Sequence, residues 1–474
     1  MLRTKLTGVA LTAVLVVGGL TAGSTFAWAA PPTCGGTGSP QKLTGTIDGA
    51  AYEIECPAGA WNGTLFLYSH GYVVPGGFNP AVDASDTTTS AWLLGHGYAI
   101  AGSSYSATGW AVQQALHDQI ALLDFFGATF GPPTHTIAWG DSLGGMITAG
   151  LIQENPDLFS AALPMCGVLS GGVATWNTAL DAAFAFNHLL DPSAQLVHIT
   201  NPFANLQQAE AVLEAAQQTP QGRARLALVA ALADTPGWFT TGSPEPAPTD
   251  FAGQEQNQFL WASKVTFPFA FAFRAELEAR AGGNPSSNTG VNYFADLAKS
   301  ADLLEVIGLY HDAGLSLTQD LRTLNNAARI SADPAAVAYL TQNIVYDGEI
   351  SVPVLTLHTT GDGLVVPENE QAYRSAVDRA GNGDLLRQLF VARAGHCAFT
   401  PAEKITAIGV LLNRLATGFW LVPPPFVLNA EASALSDPGD NPAPPAFTFF
   451  FPDRYLRPFD LAPAFGGVFG PFRS

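Results

Sequence analysis

A doubly wound, mostly parallel α/β sheet with a large, mainly helical cap inserted into it is the fold class this sequence predicts, on three observations. Short apolar, β-branched runs alternate with amphipathic stretches of helical length, the pattern of parallel strands joined by crossover helices. At one such junction, Pro132 to Asn155, a strand, a glycine-rich turn and a helix follow each other without a break. From 169 to 350 the pattern changes, and helical stretches separated by turns replace the alternation.

The first stretch reads as an export signal. Arg3 and Lys5 precede the apolar run Val9 to Leu20, and Ala27-Trp28-Ala29 supplies small residues for cleavage, so residues 1–29 are expected to be removed and the protein secreted. The apolar run is short for a membrane span, and no membrane insertion is expected after cleavage; a retained anchor is the other reading. The full chain of 474 residues holds 20 basic and 39 acidic residues. Losing Arg3 and Lys5 leaves 18 basic against 39 acidic, a net charge of −21. Such a surface repels nucleic acid and anionic lipid, and no nucleic-acid partner is expected.

Four cysteines remain: Cys34, Cys56, Cys166 and Cys397. An even number in an exported chain points to disulfides, with three possible connectivities. The preferred pairing clips the N-terminal segment with Cys34–Cys56 and ties two core loops with Cys166–Cys397. No C-x-x-C or paired histidine spacing occurs, so no metal site is expected.

The core opens at residue 30 and its first part runs to 168. Lys42–Ile47 and Ala51–Cys56 alternate around Asp48-Gly49, a hairpin signature. Thr64–Tyr68 is a continuous apolar strand, fit for a sheet covered on both faces, and ends in Ser69-His70-Gly71-Tyr72. Thr87–Leu94 reads as a helix, Tyr98–Gly102 as a strand, and the stretch from Trp110 to Phe126 as a crossover helix with Val112, Ala115, Leu116, Ile120, Leu123 and Phe126 on one face. Thr134–Trp139 is the next strand, followed by Gly140-Asp141-Ser142-Leu143-Gly144-Gly145 and a helix from Met146. A G-x-S-x-G turn between strand and helix raises its serine above the sheet, and Gly140 and Gly144 let strand and helix pass closely. By itself the pentapeptide is an ordinary glycine-rich turn; its flanks and the partners downstream decide the matter. Ser160–Met165 is one more strand, ending at Cys166.

Residues 169–350 read as the cap. Trp176–Leu190, Leu206–Gln217, Gly222–Ala233, Val265–Arg280 and Ala301–Leu324 look helical, although the alternating Phe267, Phe269, Phe271 and Phe273 fit a strand equally well. The second part of the core, 351–420, resumes with Val352–His358 and the loop Thr359-Thr360-Gly361-Asp362-Gly363. A helix Glu368–Ala380 and a strand Leu385–Val391 lead to Gly395-His396-Cys397, and Pro401–Thr417 forms the last core helix. The Pro- and Phe-rich tail, 421–474, is expected to lie over the core in extended form, since its prolines exclude a helix throughout and its aromatics avoid water.

Ser142, Asp362 and His396 thus follow in the order Ser, Asp, His, each just after a strand. A serine hydroxyl needs a neutral imidazole to take its proton, and a buried carboxylate fixes that imidazole's tautomer. The N–H groups of Leu143 and Tyr72 are the expected oxyanion donors. Asp124, Asp181 and Asp191 are reserve acids; His70, His188 and His358 are less well placed as bases. This chemistry requires no cofactor.

SHGY (69–72), GDSLGG (140–145), TTGDGLVVP (359–367) and GHC (395–397) resemble the α/β-hydrolase superfamily across the chain except cap and tail. GDSLGG is similar to the GDSAGG of hormone-sensitive-lipase-like esterases. A cysteine directly after the catalytic histidine is similar to tannases and feruloyl esterases, which carry a second cysteine before the serine where this chain has Asp141. The resemblance implies a serine hydrolase acting on a small-molecule or polymeric ester. An exopeptidase or amidase with the same triad is the first alternative; its cap would offer a carboxylate, such as Glu276, Glu278 or Asp302, to a substrate amine. A non-catalytic secreted binding protein using the aromatic tail and the cap is the second.

Overall fold

The sheet has nine strands in the order β1-β2-β4-β3-β5-β6-β7-β8-β9. They are β1 Gln41–Ile47, β2 Ala50–Cys56, β3 Thr64–Ser69, β4 Ala99–Ser103, β5 His135–Asp141, β6 Ala161–Met165, β7 Val354–Gly361, β8 Leu386–Ala394 and β9 Phe447–Thr448. The structure is a computed structural model that describes residues 33–36, 41–435 and 443–459; the expected signal segment and the end of the tail lie outside them. From β4 to β8 every neighbouring pair is parallel, whereas β1, β2 and β9 run antiparallel at the two edges. The fold is therefore a mixed, mostly parallel α/β sheet.

Alternation along the strands sorts the core into two layers. Leu65 and Leu67 of β3 face the helices Val112–Phe130, Leu143–Glu154 and Glu368–Arg379, in a cluster with Phe126, Ile147 and Val377. Phe66 and Tyr68 face the other way, joining Leu93, Ile408, Leu411 and Leu428 from the helices Thr87–Gly95, Pro401–Thr417 and Pro425–Leu435. All six residues of β3 are buried, as a strand covered on both faces requires. The helix at Pro401 starts with a full capping box, Thr400 accepting from Glu403 N–H while the Glu403 carboxylate accepts from Thr400 N–H.

Between β6 and β7 the described chain is helical and has its own core, in which Phe184, Phe186, Leu213, Phe271, Tyr293 and Tyr310 meet. The phenylalanine run is helical, not a strand, for a geometric reason. Ala262–Thr266 and Phe269–Phe273 are π-helical, a wider winding that still stacks residues four apart. Phe267 and Phe271 therefore pair at 4.9 Å and pack on Phe186, while Phe269 and Phe273 pair at 5.3 Å and face Tyr72. The stretch expected as one helix from Ala301 is two, Leu303–Asp312 and Leu317–Asn326, parted at Gly314, whose φ of 65° is left-handed. Three further helices, Phe251–Trp261, Tyr293–Leu297 and Pro334–Gln342, carry too little periodicity to announce themselves.

The tail departs from the expected extended course. Pro425–Leu435 is a helix, because its proline falls in the first turn, where the missing N–H costs nothing. Phe447–Thr448 then adds the edge strand beside β8, and Phe447 is buried there. Disulfides join Cys34 to Cys56 and Cys166 to Cys397.

The helical layer buries several carboxyls. Glu255 and Glu305 are 1% and 2% exposed; burial pushes them up to about 7 and about 9, and for Glu305 the charge of Asp302 adds to it. Burial also raises Asp302 to about 7, and raises Asp234 and Glu368, which repel one another's charged forms. In the unfolded chain these groups lose their protons near the ordinary carboxyl range, whereas folded they keep them to higher pH. The unfolded state thus binds fewer protons between the two values, and stability falls as pH rises through that window. Differential scanning calorimetry is expected to give a Tm several degrees lower at about pH 9 than at about pH 6, with a shallower fall in Glu305→Gln.

Candidate active site

Ser142 stands between β5 and the helix Leu143–Glu154 with φ 61° and ψ −123°. A side chain adopts this left-handed backbone only when its surroundings enforce it. Here the enforcement is close packing: a Cβ on Gly140 or Gly144 would overlap the Ser69 carbonyl oxygen at the end of β3. Ser142 N–H donates to Met165 O at 2.9 Å, fixing the turn to β6 as well.

Two loops from the other half of the sheet reach this serine. His396 Nε2 lies 2.7 Å from Ser142 Oγ, and His396 Nδ1 lies 2.7 Å from Asp362 Oδ2. Asp362 is fully buried, and its Oδ1 accepts from Leu364 and Val365 N–H at 3.0 Å each. Those two bonds fix Oδ1 and leave Oδ2 aimed at the imidazole. Since Asp362 accepts at Nδ1, Nε2 is left as the acceptor for the serine proton. Cys397 is bonded to Cys166, its sulfur lying 3.4 Å from His396 Nε2. The disulfide ties the histidine loop to the residue that follows β6, beside the serine turn.

Tyr72 and Leu143 line the same cavity as Ser142. Neither backbone N–H has a hydrogen-bond partner among the described residues. Gly71 lets that loop approach, since a Cβ there would lie 3.3 Å from Ser142 Cβ. His70 holds the loop: its ring stacks on Tyr105 at 4.0 Å and its nitrogens face the carbonyls of Gly71 and Ser104. Burial pushes its pKa down. The tyrosine side chain meets Phe269 at 5.0 Å, from the helical layer.

The other acids and histidines lie elsewhere. Asp124 is exposed, Asp181 accepts from Tyr293 OH, and Asp191 accepts from Ser193. His188 faces the Phe184 carbonyl within its own helix. His358, inside β7 and four residues before Asp362, has its Nε2 3.8 Å from that carboxylate.

A cavity of about 180 Å³ opens at the serine, roofed by Trp176, Phe186 and Phe267 and walled by Trp110. Most of its lining residues are not assigned to the site from sequence, and two of them are polar residues held by distant partners. Asn369 lines it while accepting Ser170 N–H, and Tyr455 reaches it from the tail with its hydroxyl at 3.1 Å from Thr178 Oγ1. Neither position carries a motif, because both depend on long-range packing. No Lys, Arg, His, Asp or Glu is among the residues lining it.

Gly144→Ala tests the enforced turn. The added methyl is expected to destabilise the protein by about 1–3 kcal/mol in denaturant unfolding, because backbone must move to admit it. Labelling of Ser142 by a fluorophosphonate probe is expected to slow by roughly 100-fold.

Residues 48–293 match the profile described as a tannase-like family of unknown function. The chain is 29% identical over 420 residues to an o-phthalyl amidase of Xanthobacter agilis, covering 82% of this chain and 90% of that protein. Among solved structures, an esterase from Aspergillus oryzae aligns at TM-score 0.42 with 12% identity, covering 80% of each chain. An acylaminoacyl peptidase of Pyrococcus horikoshii aligns at 0.38 with 10% identity, covering 84% of this chain and 44% of the other. Likeness at those scores carries no argument about activity; the matched profile spans more than half of this sequence. With the sheet, the serine turn and the two loops in place, the chain is a member of the α/β-hydrolase superfamily and belongs to its tannase-like family of unknown function.

Proposed function

We propose that this protein is an exported serine hydrolase that cleaves carboxylic esters through an acyl-enzyme. The observation that carries the reading is the continuous chain of contacts Asp362, His396, Ser142, at 2.7 Å and 2.7 Å. In this reading Ser142 Oγ attacks the ester carbonyl as His396 Nε2 takes its proton. Charge on the carbonyl oxygen is met by the N–H groups of Leu143 and Tyr72. Collapse of the tetrahedral intermediate releases the alcohol, protonated by His396, and leaves the acyl group on Ser142. Water, activated by the same imidazole, then frees the acid. Two disulfides support an oxidising, extracellular destination.

The cavity supports a substrate class. At about 180 Å³ it is close to the volume that holds a single aromatic ring. Its apolar, uncharged lining favours a neutral aryl or short branched acyl group, because an ionised one loses its water without gaining a partner.

Amide cleavage is the second reading, and the similarity to an o-phthalyl amidase favours it. The exopeptidase form of that reading has less support. Glu276 is bound to Arg280 and to Trp110 N–H, Glu278 accepts His198 N–H, and Asp302 accepts from Gln258. None of the three is among the residues that line the cavity. A non-catalytic binding role gains nothing from Tyr455, the tail residue that reaches inward.

The test is hydrolysis of nitrophenyl esters, from acetyl through benzoyl to long-chain acyl, beside nitroanilides of the same acyl groups. Esters are expected to turn over best with benzoyl and short acyl groups, and Ser142→Ala is expected to cut turnover by roughly 10⁴-fold or more. Anilide turnover at comparable kcat/KM makes the protein an amidase. Equal rates in the variant and the parent overturn the serine mechanism.

A further inference from the structure

His358 lies in the middle of β7, fully buried, and takes no part in the mechanism above. Both of its ring nitrogens face oxygens. Nε2 lies 2.8 Å from the Val365 carbonyl, and Nδ1 lies 3.0 Å from Glu370 Oε1, on the helix Glu368–Arg379. A carbonyl only accepts, so Nε2 carries a proton. Glu370 is fully buried, and its other oxygen, Oε2, accepts from Thr356 Oγ1 at 2.5 Å and from Gln388 Nε2 at 2.6 Å. With Oε2 taken by two donors, a proton on Nδ1 as well would complete the hydrogen bonding at Oε1. The arrangement describes an imidazolium paired with a carboxylate, both out of water.

This pair touches the active site twice. The carbonyl that His358 holds belongs to Val365, whose N–H holds Asp362 Oδ1. His358 Nε2 itself stands 3.8 Å from Asp362 Oδ2, the oxygen that holds His396.

Resting on the serine-hydrolase reading, we propose that His358 is a positioning residue: held by Glu370, it fixes the 362–365 turn and keeps a positive charge behind Asp362. That charge offsets part of the field by which Asp362 makes His396 basic. Removing that charge is therefore expected to make His396 easier to protonate. At His358 itself burial would lower the pKa, but the hydrogen bond and charge of Glu370, with Asp362, raise it overall. The charged and titratable groups facing these two histidines are few. Asp362 lies between them, Glu370 holds His358, and Asp141 of β5, which Lys404 also faces, acts on His396 from the other side.

The experiment is the pH dependence of kcat/KM for a nitrophenyl ester in the wild type, His358→Gln and Glu370→Gln, with Ser142→Ala as the blank. Glutamine at 358 keeps an N–H for Val365 but removes the charge; Glu370→Gln removes the carboxylate that holds a proton on His358 Nδ1. In both variants the acid limb, set by protonation of His396, is expected to move up by about half to one pH unit. KM is expected to change by less than about twofold, since neither residue lines the cavity. Acid limbs that coincide with the wild type overturn the proposal and leave His358 a structural residue, however far kcat falls. Should both variants fail to fold, histidine-¹⁵N NMR of the wild-type protein decides. Two protonated ring nitrogens on His358 at neutral pH are expected, and a neutral imidazole overturns the proposal. If the wild type is no faster than Ser142→Ala, the hydrolase reading fails on its own, and the NMR result still tests His358.

Discussion

The crossing of two backbones at Ser69 is the constraint on which the site depends. The Ser69 carbonyl at the end of β3 occupies the space that side chains at Gly140 and Gly144 would need. With both absent, strand β5 turns into its helix within one residue, and Ser142 is held at a left-handed φ with its hydroxyl above the sheet. Everything else reaches toward that fixed point from the carboxyl ends of neighbouring strands, where a parallel sheet collects its loops. Asp362 follows β7 and His396 follows β8, so the carboxylate and the imidazole are set by the register of one parallel pair, Gly361 against Ala394.

The second disulfide makes this convergence less dependent on loop packing. Cys166 follows β6, whose Met165 carbonyl anchors Ser142 N–H, and Cys397 follows His396 directly. One covalent link therefore joins the frame of the serine to the frame of the histidine across a separation of 231 residues. Both cysteines have positive φ, 42° and 52°, so each strand turns sharply where it meets the bond. A loop closed over so long a span is costly in chain entropy, and the bond removes much of that cost from folding.

The sheet and the Ser142, Asp362, His396 constellation were legible because their signals are local. Apolar runs at strand length, glycines at a tight turn and residues placed just after strands need no knowledge of distant contacts. The helical layer was legible in kind but not in detail. Phe267 to Phe273 alternate in sequence, yet the pairs that matter are four apart, since a π-helical winding stacks them so. Pro425 reads as a helix breaker and is a helix start. His358 and Tyr455 were beyond reach for another reason. A histidine within Val354–Gly361 looks like any core residue until Glu370, twelve positions later, is seen against it. Tyr455 becomes part of the cavity only because the tail returns to the helices Gly172–Leu189 and Glu368–Arg379, where it meets Thr178 and Gln371.

Tyr72 links the helical layer to the chemistry proposed for the core. Its backbone N–H belongs to the loop after β3, but its ring is packed between Phe269 and Phe273 of the π-helical segment. The same segment carries Phe267, which roofs the cavity. An acyl group that fills the cavity therefore presses on the very segment that holds the Tyr72 ring. Packed interiors transmit such displacement because they have little void to absorb it. In the proposed mechanism, substrate fit under the roof and the placement of one oxyanion donor would then be a single property of the fold. A poorly fitting acyl group loses both apolar contact and transition-state stabilisation, so selectivity falls on kcat as well as on KM.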